Sequence, residues 1–114
     1  MLKKRTTILA GIFLFLVIST ASFAQTQQEI LVSAAISLKD AFTNIGKAFE
    51  AKNKNVKVVL NFGASGDLKT QILGGAPVDV FASAAQKEMN ELEKNNKIIR
   101  ETRVDFAGNG VVLI

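Results

Sequence analysis

The chain contains neither cysteine nor histidine, and it has no tryptophan and no tyrosine. Without cysteine an exported protein has no disulfides, and it lacks the thiol that carries the lipid of a bacterial lipoprotein. With both Cys and His absent, the strong zinc ligands are missing. A nucleophile–histidine pair is excluded within these 114 residues. A surplus of one charge is also scarce once position is considered. The chain has 14 basic and 10 acidic residues, a net of +4. Lys3, Lys4 and Arg5 supply three of the basic ones and no acid lies before Glu29, which leaves 11 basic against 10 acidic, a net of +1. The remaining charges are interspersed in sign and form no basic cluster, and no aromatic stacking platform stands out. That pattern argues against a nucleic-acid partner.

What is present begins with an export pattern. The basic lead is followed by an apolar run from Ile8 to Ile18, broken only by Gly11, and then by small residues at Ser22 and Ala24. This is the layout of a secretory signal peptide over 1–24, cleaved after Ala24. A membrane anchor is the alternative, but the run is short against the roughly 20 residues that a bilayer span needs. The remainder, 25–114, is material for one small domain.

Strand and helix patterns alternate through it. Glu29 to Ala35 is an expected strand whose Ile30-Leu31-Val32 run suits burial on both faces. Ser37 to about Lys52 is an expected helix, with Leu38, Ala41, Phe42, Ile45, Ala48 and Phe49 as its apolar stripe. Val56 to Phe62 is rich in β-branched residues and predicts a second strand. Ser65 to Leu73 predicts a helix with Leu68, Ile72 and Leu73 inward, stopped by Gly74-Gly75 and followed by Pro77. Val78 to Ser83 predicts a third strand, and Ala85 to about Asn95 a third helix with Met89 and Leu92 buried. Val104 to Phe106 and the start of a strand at Val111 to Ile114 complete the pattern. The order predicts an α/β fold with a mostly parallel sheet flanked by helices. A domain rarely stops on apolar residues at the start of a buried strand, so a fragment of a longer protein is expected.

Ser37, Ser65 and Ser83 all fall where a strand ends, the side of a parallel sheet on which ligands gather. The first turn of a helix carries unpaired N–H groups and partial positive charge, and a serine there adds a hydroxyl donor. Two such ends facing each other make a pocket for a small anion. The simpler alternative is that each serine caps its own helix. Lys39 and Lys69 follow the two key serines, and their spacing points them to solvent. Asp67 and Asp79 stand in separate segments, and no general base accompanies either serine, so an enzyme is not expected.

Three segments in register carry a resemblance. They are Ser33-Ala34-Ala35-Ile36-Ser37-Leu38-Lys39-Asp40-Ala41, Asn61-Phe62-Gly63-Ala64-Ser65-Gly66-Asp67-Leu68-Lys69-Thr70-Gln71-Ile72, and Gly75-Ala76-Pro77-Val78-Asp79-Val80-Phe81-Ala82-Ser83-Ala84 followed by Gln86-Lys87 and Met89. Over Ile30 to Ile114 the chain resembles the amino-terminal portion of the periplasmic molybdate-binding proteins, the solute receptors of bacterial molybdate ABC transporters. The resemblance implies a periplasmic-binding-protein-like lobe at 25–114, truncated from a two-lobed protein that closes over its ligand. It implies a periplasmic monomer with molybdate or tungstate as ligand and the membrane permease of an ABC importer as partner. Ser37 and Ser65 match the family's first-lobe ligand serines. It implies no cofactor, and no metal as a bare cation. Ala85 departs from the family pattern, which places an acidic or amide residue there.

Fully deprotonated molybdate accepts hydrogen bonds on all four oxygens, which a donor-only pocket satisfies. Hydrogen phosphate brings a proton with no acceptor, at a cost of about 1–3 kcal/mol. Sulfate shares the charge and shape of molybdate, so cavity size decides between them. A receptor for a small organic anion is the remaining alternative. It calls for an arginine or carboxylate clamp and an aromatic wall, whereas Arg100 and Arg103 both lie outside the strand-end motifs.

Overall fold

The computed structural model describes residues 26–113; the expected export segment, 1–24, lies outside the described residues, as does Ile114. Strands and helices alternate as β1 (Gln28–Ala35), α1 (Lys39–Lys52), β2 (Val56–Gly63), α2 (Ser65–Leu73), β3 (Val80–Ala82) and α3 (Gln86–Lys94), with 3-10 turns at Ile36–Leu38 and Arg100–Thr102. The sheet order is β2-β1-β3 and both pairings are parallel. The register runs from Gln28↔Val56 to Ala35↔Gly63 on one side of β1 and from Val32↔Val80 to Ala34↔Ala82 on the other.

A central parallel strand is covered on both faces, and Val32, Ser33, Ala34 and Ala35 are buried in succession. Strand alternation shows which helix covers which face. Val58 and Leu60 of β2 lie against Gly46 of α1. Asn61, on the alternate face, donates through its side-chain amide to Gln71 of α2 at 3.2 Å. The helices therefore lie on both sides, as the alternating pattern predicts. Leu68 and Ile72 of α2, Leu92 of α3 and Ala82 of β3 complete the core.

The stripe of α1 is turned from the expected one. Ile45 and Phe49 are 58% and 42% exposed, and Gly46 is the buried position. The missing side chain lets the helix come close to β2, and Glu50, one turn on, accepts the Val58 N–H at 2.8 Å. Among the described residues β2 is an edge strand, and this bond covers a backbone donor that none of their strands takes. The Val58 N–H, and after it the Lys57 ammonium, hold the Glu50 carboxyl below its usual range.

Gly46 is not required for packing. A Cβ there would stand 3.5 Å from Val58 Cγ1 and 3.6 Å from Leu60 Cδ1, ordinary contact distances. Gly46→Ala should therefore stabilise the protein by about 0.5–1 kcal/mol through helix propensity. Urea denaturation checks this; a lower midpoint would mean that helix and strand approach too closely for a methyl group.

α2 has the predicted bounds and stop. Gly75 takes a φ of 95°, its N–H donates to Ile72 O and the Ala76 N–H donates to Gln71 O, the Schellman arrangement. β3 is shorter than the expected 78–83 because Asp79 joins the ladder through its side chain. The Asp79 N–H donates to Leu31 O at 2.9 Å, and its carboxylate accepts the Leu31 N–H at 2.8 Å. The strands expected at 104–106 and from Val111 are not formed among the described residues. Val104, Val111, Val112 and Leu113 stay exposed, and without a ladder partner the backbone has nothing to hold it extended in a sheet.

Candidate functional site

Because the strands are parallel, the carboxyl ends of β1, β2 and β3 share one side of the sheet, and a helical turn starts from each. The cap residues of those three starts are Ala35, Ala64 and Ala85, and none of the three has a side-chain cap bond. Alanine is among the poorest N-caps, so the first-turn N–H groups get no help from a cap side chain. This decides against the simpler alternative for the serines. Ser37 is the middle residue of its 3-10 turn and Ser65 the first residue of α2, so neither occupies the cap position.

Ser37 is exposed and lines a hollow of about 460 Å³ together with Ser83, Ala84, Ala85 and the 103–109 segment. Among the described residues none takes or supplies a hydrogen bond at the Ser37 hydroxyl. Ser65 does not line the hollow itself; it is tied to that wall at Ala84. Its Oγ accepts the Ala84 N–H at 3.0 Å, which ties α2 to the β3–α3 turn. An oxygen that accepts in this way keeps its own proton to donate elsewhere. Ser83 differs: its hydroxyl donates to Ala85 O at 2.8 Å while accepting the Ala85 N–H at 3.1 Å. That proton is committed, and the bond gives the turn its shape despite alanine at position 85.

The charged neighbours are accounted for locally. Lys39 is exposed. Lys69 does not reach solvent as expected: its ammonium pairs with Glu91 of α3 at 2.7 Å, with 17% of its side chain exposed. That hydrogen bond holds the Glu91 carboxyl below its usual range. Asp79 is spent on β1, and Asp67 is exposed in the first turn of α2. Arg103, outside the strand-end motifs in sequence, nevertheless lines the hollow, with its guanidinium engaged by Glu93, Gln86 and Asn90. Sequence reasoning missed this cluster. The signal for it is the spacing of Gln86, Asn90 and Glu93, four and three residues apart on one helix face.

The three strand ends thus feed poorly capped helical turns beside serines. The model of a family described as bacterial extracellular solute-binding protein matches residues 30–114. The chain belongs to that family. Among relatives of this solute-binding chain, the molybdate-binding protein ModA of Mycobacterium tuberculosis H37Rv is 40% identical over 96 residues, covering 84% of this chain and 36% of the relative. The Bacillus subtilis protein YvgL, described as an ABC-transporter substrate-binding lipoprotein, is 31% identical over 120 residues, covering 100% of this chain and 46% of the relative. A solved structure described as the substrate-binding domain of a molybdenum ABC transporter from Clostridium difficile shares 43% identity at a TM-score of 0.63, covering 65% of this chain and 32% of that one. The chain thus spans less than half the length of these relatives. The solute-binding fold and the likeness to molybdate-binding proteins stand as the three motifs predicted.

Proposed function

We propose that the protein is an extracytoplasmic receptor that binds molybdate, and tungstate alike, and delivers it to an ABC importer. Residues 25–114 form the first of its two lobes, and 1–24 are a signal peptide removed on export to the periplasm. The observation that carries the proposal is the set of helical turns at one end of the sheet with alanine caps, beside hydroxyls at Ser37 and Ser65. Such a wall offers donors and partial positive charge without a full cation. Proton-free molybdate matches it, and the second lobe supplies the remaining donors as the cleft closes. The protein works as a monomer, without catalysis, cofactor or nucleic acid.

Arg103 weighs against an organic carboxylate as ligand. Its side chain is half-buried and already paired with Glu93, so clamping a carboxylate would take Arg103 from Glu93. Isothermal titration of the full-length protein with molybdate, tungstate, sulfate and phosphate tests the assignment. The first two should bind at least tenfold more tightly than the last two. Sulfate binding as tightly as molybdate would overturn the specificity.

A further inference from the structure

One wall of the hollow is not part of the strand-end architecture. It is the segment 103–109, which has no regular structure and follows the 3-10 turn Arg100–Thr102. Its first residue is tied to the 3-10 turn by the Arg103 N–H, which donates to Arg100 O at 3.1 Å; beyond it, side chains hold the segment. One residue joins both of its polar anchors. Gln86, the first residue of α3, accepts from Arg103 through Oε1 at 2.5 Å and donates through Nε2 to Asp105 at 2.6 Å. Arg103 is further held by Asn90 at 2.7 Å and by Glu93. Phe106 then rests on Phe42 of α1, with ring centroids 6.0 Å apart. The segment therefore bridges α3 and α1 and lines the hollow together with Ser37.

We propose that Gln86 is the positioning residue of the oxyanion site, a two-sided clip that sets segment 103–109 as a wall of the hollow. This rests on the reading of the hollow as part of an oxyanion site. An amide suits the task because one group both accepts and donates. A carboxylate at 86 keeps the bond to Arg103 and repels Asp105. Glu93 takes both Arg100 and Arg103, and among the described residues the Gln86 amide is the donor that reaches Asp105, so Asp105 depends on that amide for its position.

The test is a swap of polarity. In full-length Gln86→Glu the bond to Asp105 is lost, and molybdate affinity should fall about tenfold, the size of one charge-assisted hydrogen bond. Chymotryptic cleavage after Phe106 in the ligand-free protein should quicken by about the same factor. In Gln86→Glu combined with Asp105→Asn, the new amide donates to the new carboxylate, so both values should return to within about twofold of wild type. A merely structural lesion at 86 would not be rescued by a change at 105. Wild-type cleavage in the single variant, or no recovery in the double, overturns the clip. Should wild type bind no oxyanion, the proposed function fails, and the cleavage series still decides whether Gln86 holds the wall.

Discussion

Ser65→Ala and Ser37→Ala are each expected to weaken molybdate binding by about 1.5–3 kcal/mol, or roughly 10- to 150-fold, the range for a hydrogen bond to a charged group. The two serines reach this result by different routes. Ser37 faces the hollow with a hydroxyl that no described residue engages. Ser65 is oriented by the Ala84 N–H it accepts at 3.0 Å, which leaves its proton to point away from Ala84. Its removal therefore deletes a donor and also loosens the turn at Ala84 that forms part of the wall. Stability should change little. Neither serine is a cap, and Ala84 is exposed, so water replaces the lost acceptor. Calorimetric titration alongside urea denaturation separates the two effects. Folded variants that bind molybdate at wild-type strength would remove both serines from the site.

Leu68→Ala is expected to cost about 2–5 kcal/mol of folding stability, the range for truncating a buried leucine. Leu68 is 1% exposed and fills the space beside Gly63, where a Cβ would stand 3.3 Å from Leu68 Cδ2. That contact seats the first turn of α2 on the end of β2 and so aims Ser65, three residues earlier. The reverse substitution, Gly63→Ala, would crowd the same leucine. The loss in Leu68→Ala should appear as a lower urea midpoint. A cost below about 1 kcal/mol would mean that neighbouring side chains collapse into the space and that α2 is positioned by other contacts.

The alternation of strands and helices was legible because it is written in local periodicity. The bounds of α2 follow from Ala64-Ser65-Gly66 at one end and Gly74-Gly75 at the other, both short-range signals. The strand ends that place Ser37 and Ser65 were legible for the same reason. Features set by distant partners were not. The face of α1 turned toward Gly46 because the edge of β2 offered an N–H to Glu50, eight residues apart in sequence but only 2.8 Å away in space. β3 lost its first residues to the side-chain bond between Asp79 and Leu31, which are 48 residues apart. Lys69 found Glu91, and Arg103 found α3, through a third dimension that no single-helix pattern encodes. The apolar runs at 104–106 and from Val111 met no strand edge, and apolar character alone does not make a strand.

That Ser37 and Ser65, beside helical turns with alanine caps, face one tetrahedral dianion from one side is tested most directly by following backbone and hydroxyl resonances of the full-length protein as molybdate is added. The amides of Ser37, Ser65 and Gly66 should move together and saturate at one equivalent. Saturation with these three signals unmoved, and the changes gathered elsewhere in the molecule, would contradict the account.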